Sequence, residues 1–102
     1  MKLKELKIVP TKGQTKEELQ NELKQEGFNF YEWSDSPGAY YPPHHHEYDE
    51  CICVVNGQMT FIVDKKEHEL SPGKKLYLPA FTVHESKNKG TEKVTYLIGE
   101  LH

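Results

Sequence analysis

Four side chains in this chain have the types and spacing to hold a metal ion: His44, His46, Glu50 and His84. His44 and His46 stand two apart, and in an extended segment such side chains point to the same face. They can therefore converge on one point. Glu50 joins them if the chain turns briefly through Glu47-Tyr48-Asp49, and His84 follows Pro79 on a second strand-like run. Three imidazoles and one carboxylate suit a borderline divalent cation that keeps open positions for water or substrate. By themselves His44 and His46 fit a histidine-rich surface loop equally well; Glu50 and His84 turn the reading toward one bound metal. His45, between the ligands, should face solvent. Glu47 and Asp49 read as solvated loop charges, the alternative being that they hold a ligand imidazole in one tautomer. His68 and His102 have no such context and are given no role.

These residues sit in two spaced blocks. Gly38, five residues, His44, one, His46, three, Glu50, six and Gly57 form the first; Gly73, five, Pro79, four, His84, three and Asn88 form the second. The pattern closely resembles the two signature motifs of the cupin family, over about Phe28 to Leu101. It fits the first motif throughout and departs once in the second, where Phe81 stands at a position usually held by glycine. The resemblance implies an all-β fold, the cupin double-stranded β-helix or jelly-roll barrel, with a metal near one mouth held by His44, His46, Glu50 and His84. It further implies that Glu50 can loosen from the metal and act as a catalytic base. Phe81 is expected to narrow the mouth. The fold does not fix a substrate, since cupins range from dioxygenases and isomerases to seed-storage and sensor domains.

The elements that must position the site are legible as alternation and punctuation. Residues 1–27 read as an extension packing on the barrel, and residues 28–102 as the barrel itself. Leu6 and Ile8 share one face of a short opening strand. Thr15-Lys16-Glu17-Glu18 has the form of a capping box, Leu19 and Leu23 follow at helical spacing, and Gly27 supplies a stop, which predicts one short helix over 15–26. Its charged remainder reads as a solvated face. From Phe28 the period becomes two. Ser34-Asp35-Ser36-Pro37-Gly38, Asn56-Gly57, Asp64-Lys65-Lys66 and Ser71-Pro72-Gly73 are turn signals, Asn56-Gly57 that of a hairpin. Many short strands with turns at such intervals indicate a sandwich or barrel.

On the strand after Glu50, Ile52 and Val54 share its parity and should line an apolar interior. Cys51 and Cys53 should face away, as small buried hydrophobes and not as a disulfide. Tyr40, Tyr41 and Tyr48, nearest the ligands in sequence, are expected to rim the pocket. Ser86 shares the parity of His84.

Composition narrows the functions. A chain of 102 residues makes one domain. A formal charge of −3 gives no pull toward nucleic acid or an anionic membrane, and no long apolar run offers a membrane span. The opening MKLKELKIVP lacks a signal-peptide core, so a cytoplasmic location is the expectation. All thirteen basic residues are lysines. Arginine is the usual planar clamp for carboxylates and phosphates, so sugar phosphates and nucleotides lose ground as ligands.

The reading is a small mononuclear metal-binding cupin with iron, manganese or nickel, or else zinc, acting on a small uncharged or chelating organic molecule. Dioxygenase-like oxidoreductase chemistry is the first expectation and a metal-dependent isomerase the second. A non-catalytic ligand- or metal-binding sensor is the alternative, because only fifteen residues separate Gly57 from Gly73 and leave no insertion to build a lid. Outward apolar groups such as Cys53 and Val55, with the N-terminal strand, predict a homodimer.

Overall fold

Nine strands and one helix run through residues 3–102, which the computed structural model describes; the first two residues of the N-terminal extension lie outside the described residues. β1 (Lys7–Pro10) and α1 (Lys16–Gln25) come first. They are followed by β2 (Asn29–Asp35), β3 (Tyr40–His44), β4 (Asp49–Asn56), β5 (Met59–Val63), β6 (Lys66–Leu70), β7 (Lys74–Leu78), β8 (His84–Lys87) and β9 (Val94–Leu101). They form two antiparallel sheets, ordered β1-β7-β4-β9-β2 and β3-β8-β5-β6.

Alternation along β4 explains the layering. Ile52 and Val54 turn inward and pack with Met59, Phe61, Leu70, Leu76, Val94 and Tyr96 between the sheets. Cys51 and Cys53, of opposite parity, are fully buried on the outer face with Leu19, Leu23, Phe28, Tyr77 and Leu97. The helix is therefore the cover of the five-stranded sheet. It forms where the sequence predicts: the Thr15 side chain accepts from the Glu18 N–H at 3.1 Å, and Glu18 returns to the Thr15 N–H at 3.0 Å. Leu19 and Leu23 are both buried, worth about 1.5–3 kcal/mol each. Gly99 lets this layer approach: a Cβ there would lie 3.0 Å from Phe28 Cβ and 3.1 Å from the Cys51 carbonyl.

Two expectations are corrected. The apolar groups around Cys53 and Val55 do not wait for a second chain, because α1 covers them. The N-terminal strand uses one edge within its own chain, where Ile8 pairs with Leu76 of β7 while Leu6 and Ile8 pack on the inner core; among the described residues its other edge takes no strand. Asn56-Gly57 makes no hairpin: β4 is already flanked by β7 and β9, so the chain crosses to the other sheet. Gly57, at φ +85°, forms the corner, where a Cβ would meet the Lys93 carbonyl at 2.8 Å. The two-residue hairpin is at Asp64-Lys65, both at positive φ, joining β5 to β6.

The helix's charged side is not wholly solvated either. Lys75, of outward parity on β7 and buried, reaches Glu22 and Glu26 at 2.6 Å each, and the Tyr77 hydroxyl donates to Glu26. Glu22 also accepts the Lys12 and Gly13 N–H groups at 2.9 Å. Burial raises the Glu22 carboxyl, but Lys75 and those N–H groups outweigh it and hold the group below its ordinary value. Burial likewise opposes charge on Lys75, and the two carboxylates outweigh it and raise the ammonium. Lys75→Met should therefore lower stability by about 3 kcal/mol, since it leaves a buried carboxylate without its cation. Because the folded Glu22 value is depressed, its contribution is full above the ordinary carboxylate range and fades as pH falls through the folded value. Urea denaturation should show Glu22→Gln less stable at neutral pH, with a shallower further loss below about pH 4.

Candidate metal centre

The path into the site is set by Pro42 and Pro43, which have no N–H to give a ladder. On β3 and β8, Tyr41 pairs with Ser86 and His44 with His84, so that Pro42 and Pro43 oppose the single residue Glu85. This bulge lets Tyr41 and His44 both face the barrel interior although they are an odd number of residues apart. After β3 the chain bends at Glu47-Tyr48 and enters β4, bringing His46 and then Glu50 to the same mouth.

His44, His46 and His84 each offer a ring nitrogen, and the three atoms lie within 4.8 Å of one another. The outer nitrogens are already engaged. His44 Nδ1 lies 2.7 Å from the Pro42 carbonyl and His84 Nδ1 lies 2.9 Å from that of Thr82. A carbonyl only accepts, so these Nδ1 atoms carry hydrogen and the Nε2 lone pairs are left free. His46 Nδ1 meets the Tyr48 hydroxyl at 3.3 Å, and the two rings stack 5.1 Å apart. Burial, then the His44 charge, lower the His46 imidazole; burial also lowers His84, against the Thr82 carbonyl. Both effects favour the neutral, ligating form. These three histidines are positioned to bind a metal ion.

Glu50 stands apart from that trio but close to it. It is buried at 5% exposure, with Oε1 3.7 Å from His46 Nε2. Two donors about 2.1 Å from one ion stand roughly 3–4 Å apart, so this separation is compatible with a shared cation. Among the described residues, its only ionic partner is His46. Glu100 faces it across β4 and β9, and burial, then that charge, push the Glu50 carboxyl up to about 7.

The neighbouring residues divide differently from the sequence reading. His45 and Glu47 are exposed, as expected. Asp49 is not a solvated loop charge: it is buried and accepts the N–H groups of Leu3 at 2.9 Å and Ala80 at 2.8 Å, tying the N-terminal segment and the loop before His84 to β4. No acidic side chain orients the imidazoles of His44 and His84; backbone carbonyls do. Tyr40 turns away, half-exposed, and donates to Glu85 on the surface.

A cavity of about 220 Å³ opens beside the histidines. His46, Glu50 and His84 form its metal end, Ile52, Phe61 and Ile98 its apolar sides, and Tyr31, Trp33, Tyr41 and Tyr96 the remainder. Val54 belongs to the core and does not line it. The sequence reading missed Trp33, Tyr96 and Asp35 as parts of one cluster. The available signal was the parity of β2, on which Tyr31, Trp33 and Asp35 share a face.

Phe81 does not narrow this cavity. It keeps the left-handed backbone, φ 64°, that a glycine would take without strain, while its side chain is 63% exposed beside His45. The Phe81 N–H donates to the His46 carbonyl at 2.7 Å, which holds the loop there.

The cupin-domain family matches residues 31–99, more than half of the chain. The chain belongs to the cupin family. Solved cupins share its fold. The cupin domain of an XRE family transcriptional regulator from Enterobacter cloacae is 16% identical with a TM-score of 0.63, covering 95% of this chain and 96% of that one. The polyketide cyclase RemF from Streptomyces resistomycificus is 24% identical with a TM-score of 0.65, covering 76% of this chain and 58% of its own. A sugar phosphate isomerase of the cupin superfamily from Silicibacter pomeroyi is 26% identical with a TM-score of 0.63, covering 74% and 50%. The chain spans only 36–58% of the length of several larger proteins it resembles. No curated protein matches it in sequence.

A left-handed aromatic residue costs about 1 kcal/mol over glycine. Phe81→Gly should accordingly raise the denaturation midpoint, whereas Phe81→Ala, which keeps the strain, should not. Chemical denaturation of both variants checks this.

Proposed function

We propose that this cupin is a mononuclear metal protein in which His44, His46, Glu50 and His84 hold one divalent transition metal, and that it acts on a small uncharged or chelating organic molecule. The observation that carries this reading is the convergence of three imidazoles, with their outer nitrogens engaged, beside a buried carboxylate at one end of an apolar cavity. A set of three nitrogens and one oxygen suits iron, manganese or nickel, with zinc as the alternative. When bound, the metal supplies a Lewis-acid and redox centre that orients and activates a chelating substrate. Oxidoreductase chemistry of the dioxygenase type is the first assignment.

The protein's own part is distinct. Ile52, Phe61 and Ile98 keep the cavity dry around the substrate. Glu50, buried at the mouth with Oε1 3.7 Å from His46 Nε2, would be the carboxylate placed to accept a proton from a substrate hydroxyl. The same position would serve an isomerase.

A second reading, a non-catalytic ligand-sensing module, is favoured by the end-to-end match to the cupin domain of a transcriptional regulator. The proposed assembly is a homodimer, supported by the open outer edge of β1 in the five-stranded sheet. Sedimentation at micromolar concentration tests that point, and a monomer would remove it.

Elemental analysis of protein purified without an affinity tag should give one metal per chain. His46→Ala and His84→Ala should abolish stoichiometric binding, and His45→Ala should retain it. Absence of metal from the wild type, or equal losses at His45 and His46, would overturn the assignment.

A further inference from the structure

Asp35 ends β2 on the inward face, two residues beyond Trp33, and is 7% exposed. Its carboxylate gathers three side-chain donors of the cavity lining, those of Tyr41, Trp33 and Tyr96; the Tyr31 hydroxyl is not among them. The Tyr41 hydroxyl donates to Oδ1 at 2.6 Å, Trp33 Nε1 donates to the same oxygen at 3.2 Å, and the Tyr96 hydroxyl donates to Oδ2. Trp33 Nε1 also approaches the Tyr41 oxygen at 3.1 Å. Asn88 secures the cluster from behind by donating to the Asp35 carbonyl at 3.2 Å.

A carboxylate only accepts, so the hydrogens of both phenols and of the indole are committed to this cluster. Tyr41, Tyr96 and Trp33 line the cavity, whereas Asp35 sits behind them. What the two tyrosines have left for a ligand is oxygen lone pairs. Burial raises both phenols, and Asp35 adds to it, which keeps them as hydroxyls.

The register locates this wall relative to the histidines. Tyr41 is one inward position from His44, and Tyr96 is two inward positions from Glu100, the cross-strand partner of Glu50. Those steps amount to roughly 7–13 Å along the strands. Between the two ends, Ile52, Phe61 and Ile98 offer no polar atom.

We propose that Asp35 is a specificity-determining positioning residue: by taking the donors of Tyr41, Tyr96 and Trp33 it makes the inner wall an acceptor surface, selecting ligands that carry a hydroxyl or other hydrogen-bond donor at the end away from their metal-binding oxygens. This rests on the metal-centre reading above. A ligand with only acceptors at that end leaves its own oxygen and the tyrosine oxygens facing each other without a proton between them.

The test uses para-hydroxybenzohydroxamate and its para-methoxy counterpart, two chelators that differ by the exchange of the far-end hydroxyl hydrogen for a methyl group. The Asp35→Asn and Tyr96→Phe proteins meet the same steric difference, so comparison with them isolates the donor. Calorimetry on zinc-loaded protein should show the hydroxy compound binding about ten-fold more tightly. Asp35→Asn substitutes an amide with one acceptor oxygen and a donor group, which turns one tyrosine hydroxyl toward the ligand. The ratio should then fall to near one. Tyr96→Phe, which removes one acceptor oxygen, should lower it as well and covers the case in which Asp35→Asn does not fold, as judged by circular dichroism. Zinc stoichiometry is measured on the same samples. Wild-type protein that binds no zinc at the histidines overturns the metal reading and this inference together. Zinc bound with a wild-type ratio near one, or a ratio unchanged in the folded variants, overturns this inference and leaves the metal reading standing.

Discussion

Successive side chains of a β-strand point to opposite faces, and β4 is buried on both. That constraint organises the molecule. Its inward residues descend from Glu50 at the mouth through Ile52 in the cavity wall to Val54 in the core. Its outward residues, Cys51 and Cys53, require a cover, and α1 with Phe28 supplies it. The helix thus buries the outer face of the strand that carries Glu50, while the ladders to β7 and β9 hold that strand in register. Gly99 sets how closely that cover lies, and the Lys75 ion cluster fixes its edge.

The site itself is assembled by backbone groups as much as by side chains. Pro42 and Thr82 give their carbonyls to ligand imidazoles, and His46 gives its own to the Phe81 N–H. Two buried aspartates then act as anchors. Asp49 gathers two backbone N–H groups from segments distant in sequence, and Asp35 gathers the aromatic donors of the cavity. Among the described residues no fully buried side-chain polar atom lacks a partner. Such networks hold a cavity open at fixed dimensions, since each buried polar group loses its partner if the wall collapses.

Phe81 occupies, at a position where the motif usually has glycine, a backbone conformation that glycine adopts without strain. The loop before His84 requires a left-handed residue so that its N–H reaches the His46 carbonyl. Glycine meets that requirement without strain, and phenylalanine meets it with its ring directed to solvent. The Phe81 N–H ties this loop to the strand end that carries His46.

By itself the sequence determined what depends on local periodicity and spacing. The capping box of α1, the alternation that turns Glu50 inward and Cys51 outward, and the shared face of His44 and His46 follow from neighbours a few residues apart, whereas His84 meets them only through the pairing of β3 with β8. The tertiary structure decided what depends on which elements meet. Whether Asn56-Gly57 closes a hairpin or turns a corner depends on whether β4 has a free edge, and both its edges are taken by strands far along the chain. Whether Asp49 and Glu22 are solvated depends on the Leu3 and Ala80 N–H groups and on Lys75, none of them neighbours in sequence. Asp35 reads locally as a turn residue and becomes the hub of the cavity only when β3 and β9 bring Tyr41 and Tyr96 to it. Period and capping are short-range properties written in adjacent residues; the partners of a buried charge are fixed only when the sheets close, because a carboxylate leaves water only where distant donors replace its hydration.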